Sequence, residues 1–128
     1  MLLLNPIRRI LMIIIATFLA IFFTLAGSQK IFAWSAVVFK IQSEFLRRYG
    51  LGRGHMYGIG MIESTAAGLI IFAILTEHEI ALQLGAALIL TTSVGACYFH
   101  FKYDTFKDAI PAILTGSGSI SLLVSGLL

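Results

Sequence analysis

Four long apolar runs, separated by short polar breaks, dominate the pattern of this chain. The first extends from Ile10 to Ala26 behind Arg8 and Arg9; the others cover about 55–76, 80–101 and 109–128. A helix needs about 20 mostly apolar residues to cross a bilayer. The pattern therefore predicts an all-α, transmembrane four-helix bundle, with its first helix at about 7–31. That first run resembles a signal peptide, but its apolar stretch exceeds the usual core of roughly 7–15 residues. The LAGS at Leu25–Ser28 also lacks a lipoprotein cysteine, so the run reads as a retained helix. Only Thr76-Glu77-His78-Glu79 separates the second and third runs, which makes them antiparallel neighbours. Pro111 is expected in the first turn of the fourth helix, where its missing N–H costs little.

One segment, residues 33–49, departs from the pattern. In WSAVVFKIQSEFLRRYGLGRG, Trp34, Val37, Val38, Ile41 and Phe45 recur at helical spacing. Lys40, Ser43, Glu44 and Arg47 take the other side, as in an amphipathic helix lying at the headgroup level. The segment also fits a continuation of helix one packed on the bundle. Gly50, Gly52 and Gly54 are expected to break it and turn the chain into helix two.

Composition agrees with a bilayer environment. Of 128 residues 59% are hydrophobic and 12% charged, with mean hydropathy +0.97, against roughly 25% charged in a soluble domain. Four spans leave no room for a separate soluble module, so a single membrane domain over 1–128 is expected. The net charge of +3 reflects basic residues flanking the apolar runs and does not suggest a nucleic-acid partner. Lys30, Lys40, Arg47, Arg48, Arg53, Lys102 and Lys107 share one side; Arg8 and Arg9 lie on the other. The positive-inside rule places the first side in the cytoplasm and both termini outside, although the arginine pair beside helix one points the other way. A bacterial cytoplasmic membrane is the expected location. The lone Cys97 rules out an intramolecular disulfide, a CxxC redox pair and a cysteine-based zinc site.

Small residues suit close helix packing. Gly60, Ser64 and Gly68 form such a stripe in helix two, Ala81, Gly85, Ser93 and Cys97 in helix three, and Ser117, Ser121 and Ser125 in helix four.

Candidate chemistry lies where the polar residues meet. Glu63 sits about eight residues, or ~12 Å, into helix two. Lys30 ends helix one and His100 ends helix three, so all three residues belong to one half of the bilayer, with Cys97 a turn from His100. An unpaired carboxylate at mid-helix costs about 2.5–3.5 kcal/mol on the insertion scale; off-centre, Glu63 costs less but still needs a partner. The four residues Lys30, Glu63, His100 and Cys97 are therefore candidate ligand-binding residues, for a proton, a quinone headgroup or a small polar ligand. The structural alternative is a neutralised cluster that fixes helix register, with Lys30 snorkelling and His100 capping its helix.

The chain resembles the DoxX-like family of small four-helix membrane proteins. The matching pieces are AGSQKIF, RYGLGRGHMYGIGMIESTAAGLIIF and GAALILTTSVGACYFHFKYDTFKDAIPAIL. The resemblance pairs Gly27 and Lys30 of a Gly-x-x-Lys with Gly60 and Glu63 of a Gly-x-x-Glu, and adds His100 and Pro111. The long amphipathic first loop departs from the family pattern. The resemblance implies a membrane fold with a polar site; family members are functionally mixed, some being linked to membrane redox systems.

Three functions follow as expectations. The foremost is a non-catalytic subunit or accessory factor of a membrane redox system, binding a quinone-like or small polar ligand. A small proton-coupled transporter and an assembly partner are the alternatives, the latter through another membrane protein or a homo-oligomer. No cofactor is specified; a quinone is compatible, whereas haem between His55 and His100 is disfavoured. A surface metal site at His78, between Glu77 and Glu79, is also disfavoured. No nucleophile–base set, phosphate loop or HExxH is present, which points away from catalysis by this chain alone.

Overall fold

Helix lengths in the computed structural model, which describes residues 4–126, match the thickness of a bilayer. Helices α1 (Leu4–Phe32), α3 (Arg53–Thr76), α4 (Glu79–Tyr103) and α5 (Phe106–Ser125) are each long and apolar enough to cross it. At 1.5 Å per residue even the shortest reaches about 30 Å. They alternate in direction and pack in the ring order α1–α3–α4–α5, closing back on α1. A short helix, α2 (Ala36–Arg48), lies across the end where α1 stops and α3 starts.

Local chemistry sets each boundary. Ala33, in a left-handed conformation at φ 51°, ends α1. Ser35 then caps α2, its Oγ accepting the Val38 N–H. The buried Gln29 amide clamps this corner, donating to the Ser35 carbonyl at 2.8 Å and accepting the Ser35 N–H at 2.9 Å. Arg53 donates to the Lys30 and Ile31 carbonyls and so satisfies orphan acceptors at the end of α1. Gly50, at φ +78°, turns the chain after α2, while Gly54 falls inside the first turn of α3 and outside the turn expected of it. At the opposite end, His78 Nδ1 accepts the Ala81 N–H and caps α4.

Pro111 corrects one expectation. Thr105 and Asp108 form a capping box, each side chain accepting the other's backbone N–H, so α5 starts at Phe106. Pro111 consequently lies in the second turn of α5, where it removes the N–H that would otherwise pair with the Lys107 carbonyl.

The small-residue stripes are also redrawn. A Cβ on Gly27 would stand 2.5 Å from Ser64 Oγ, and one on Gly60 2.9 Å from the Gly27 carbonyl oxygen. These positions bring α1 and α3 into backbone contact. Gly68 faces open space and has no part in it. On α5 the buried stripe is Ala112, Thr115, Gly116, Ser119 and Leu122. Ser117 is exposed, with Ser121 and Ser125 half-buried, because the packing face lies about half a turn from the expected serine stripe.

The core of the far half contains Ala16, Leu19, Ile70, Leu82, Ala86, Ile89 and Leu122. Ile10, Ile14, Phe18, Ile21 and Leu25 form an exposed stripe along α1. Such a surface suits lipid, since acyl chains are as apolar as the side chains they touch.

Candidate ligand cavity

The glycine contact between α1 and α3 explains why a lysine and a glutamate can meet inside the bundle. Lys30 lies one turn beyond Gly27, and Glu63 one turn beyond Gly60, on the facing sides of the two helices. With the backbones touching, Lys30 Nζ reaches Glu63 Oε2 at 3.0 Å, and both side chains are largely buried. Each charge supplies the partner that burial of the other requires.

His100, the third candidate, does not join that pair. Its Nδ1 stands 2.9 Å from Asp104 Oδ2, one helical turn on, and 3.0 Å from the Tyr49 hydroxyl. Tyr49 also donates to Asp104 Oδ2, and Arg48 approaches the other oxygen at 3.2 Å. The Asp104 side chain is 1% exposed, so it is a buried carboxylate shared by α2 and α4. Rings close around this hub: Phe45 lies edge-on to His100, and Tyr49 stacks on Phe99. Burial, and then the hydrogen bond to Asp104, raise the pKa of Tyr49 above its ordinary value. The phenol is therefore a neutral donor throughout the physiological range.

Between the two clusters lies a cavity of about 650 Å³. Lys30 and Glu63 line it from α1 and α3, His100 and Phe99 from α4, Pro111 and Thr115 from α5, and Gln42, Phe45 and Tyr49 from the α2 segment. Its volume falls within the roughly 300–1,000 Å³ of small-molecule sites, and its mostly apolar wall with a few polar groups is also typical of them. Ser93 and Thr115 bond to one another at 2.8 Å across α4 and α5.

Cys97 is half-buried on α4 and is not among the cavity-lining residues. His55 is exposed, likewise outside the cavity, and its Nδ1 accepts the Gly52 N–H. A haem between His55 and His100 therefore has no support in this geometry. No cluster of metal-ligating side chains occurs among the described residues.

A DoxX-like family model matches residues 14–119, which include Lys30 with Glu63, the groups around Asp104 and the cavity walls. The chain belongs to the DoxX-like family. Comparison with curated proteins and with solved structures gives no significant match. In this DoxX-like protein, Gly27 with Lys30 and Gly60 with Glu63 act as two halves of one device: glycine brings the helices together, and the residue a turn away supplies charge.

Some site residues lay beyond the sequence reading. Asp104 had a legible signal, since it stands four residues after His100 on the same helix face. Tyr49 and Gln42 had none, because nothing local says which side of α2 meets the bundle. The bundle-facing side proves to be Phe39, Gln42, Phe45 and Leu46; Trp34, Val37 and Ile41 remain exposed. α2 is therefore a helix separate from α1, with Val37 and Ile41 outward and Gln42, Phe45 and Leu46 lining the cavity.

Proposed function

We propose that this protein binds a ring-headed, amphipathic molecule of the quinone class in the cavity beneath α2. It does so as a non-catalytic subunit or accessory factor of a redox system in a bacterial cytoplasmic membrane. The observation that carries this reading is one cavity of about 650 Å³ bordered by Lys30 with Glu63, by His100 and by several aromatic rings. The aromatic walls suit a flat apolar ring. Carboxylate, ammonium and imidazole groups at its margin can hydrogen-bond ring oxygens and exchange protons with them. The exposed Trp34 just before α2, and Val37 and Ile41 on it, suit a helix lying at the headgroup level, which would set the cavity at the depth of a polar headgroup.

Decylubiquinone binding to the purified protein in lipid nanodiscs, corrected against empty nanodiscs, tests the reading. Saturable binding that weakens at least tenfold in Glu63→Gln is expected. No saturable binding, together with unchanged membrane redox activity in Glu63→Gln cells, would overturn it.

A further inference from the structure

Most polar groups around the cavity satisfy one another. Lys30 pairs with Glu63, His100 and Tyr49 share Asp104, and Ser93 bonds Thr115. Gln42 does not follow this pattern. It lines the cavity from α2, and its amide oxygen is buried without a hydrogen-bond partner. A glutamine on an interfacial helix normally reaches water; here the seating of α2 turns it inward while Val37 and Ile41 stay outside. A buried amide without a partner destabilises the fold that holds it. An apolar side chain of equal length would avoid that cost. Packing alone gives no reason for glutamine at this position.

We infer that Gln42 is a ligand-contacting residue whose amide oxygen accepts a hydrogen bond from a ring hydroxyl of the bound, reduced headgroup. This rests on the quinone-class reading above and adds a contact from α2. A 1,4-benzoquinone carries oxygens at both ends of its ring. Lys30 and Glu63 lie on the α1–α3 side for one, and Gln42 on the α2 side for the other. The orphaned atom is the amide oxygen, an acceptor, so the group that satisfies it is a donor: the hydroxyl of the reduced ring. Because Gln42 sits on α2, occupancy of the cavity also fastens this helix to the bundle.

The test uses Gln42→Met, which keeps length and removes hydrogen bonding, in the full chain in lipid nanodiscs. Two quantities are read: the affinity for decylubiquinol, kept reduced under anaerobic conditions, and the melting temperature without ligand. The expected result is an affinity loss of about fivefold, the scale of one net hydrogen bond, with a ligand-free melting temperature equal to or above wild type. Unchanged affinity would overturn the inference, since water would then satisfy Gln42 equally well. A lowered ligand-free melting temperature would overturn it too, by making Gln42 a structural residue. If the wild type binds neither decylubiquinone nor decylubiquinol, the proposed function fails and this inference falls with it. Wild-type binding of decylubiquinol that Gln42→Met leaves unaffected defeats the inference alone.

Discussion

Gly85 and Gly95 lie on the same helix, α4, and illustrate how differently its two halves are built. A Cβ on Gly85 would meet Ile70 Cγ1 at 2.8 Å and the Ala66 carbonyl oxygen at 3.0 Å, so α3 and α4 touch there. A Cβ on Gly95 would have nothing within 4 Å, because Gly95 borders the cavity. At the end away from α2, Ala16, Ala73 and Ala86 let the helices close completely. At the α2 end, ionisable groups and rings hold the helices around open space. Small residues bring helices together only where a partner backbone faces them; the same residue type elsewhere leaves room for something else.

Gly85→Val should break the closed half and produce the largest effect. The clash is partly with backbone, so a loss of about 3 kcal/mol or more is expected, at the upper end of overpacking costs, seen as a large drop in melting temperature. Gly95→Val should change stability by less than about 1 kcal/mol, as for sites without such contacts, while abolishing decylubiquinone binding. Equal effects of the two variants on melting would mean that the halves do not differ.

Within the cavity half, Lys30→Met strands Glu63 and should cost about 3 kcal/mol. The double variant Lys30→Met/Glu63→Met should recover most of that stability, because the desolvation penalty disappears with both charges. Thermal unfolding of the three proteins in one detergent measures the difference; a double variant as unstable as the single would contradict the pairing.

Tyr49→Phe addresses how α2 is held. Loss of its hydrogen bond to a buried carboxylate should cost about 1.5–2 kcal/mol and expose Lys40 and Arg47 to trypsin sooner. The pH dependence has a definite sign. Tyr49 is raised above its ordinary value in the folded state, so its contribution is complete below about pH 10, the unfolded value. It is lost as pH rises further, and that alkaline loss should be smaller in Tyr49→Phe.

The smallest effect belongs to the far end of the bundle. Arg9 and Glu77 pair there with side chains 47% and 60% exposed, and Glu77→Gln should shift stability by no more than about 0.5 kcal/mol. A larger loss would show that the turn end also depends on charge.

Much of this architecture was legible along the chain. Apolar run length is a one-dimensional property, so the four spans, their alternation and the family resemblance could be read before any coordinates. The approach of Lys30 to Glu63 was also within reach, because topology put both at one depth. Helix ends were less accessible: α5 starts earlier than the apolar run suggests, since the Thr105–Asp108 capping box begins it among polar residues. His100 lies at the expected end of its helix, and its pairing with Asp104 follows from the four-residue spacing that puts both on one face.

By itself the sequence determined that this chain occupies a bilayer, where its helices cross, and which charges must find partners there. These follow from the cost of exposing apolar surface to water or charge to lipid, and each residue carries that cost wherever the chain folds. Only the tertiary structure decided which glycines touch a backbone, which face of α2 turns inward, and that a cavity remains between the two polar clusters. Those outcomes depend on how surfaces from different helices fit together, and no single stretch of sequence contains both sides of a contact.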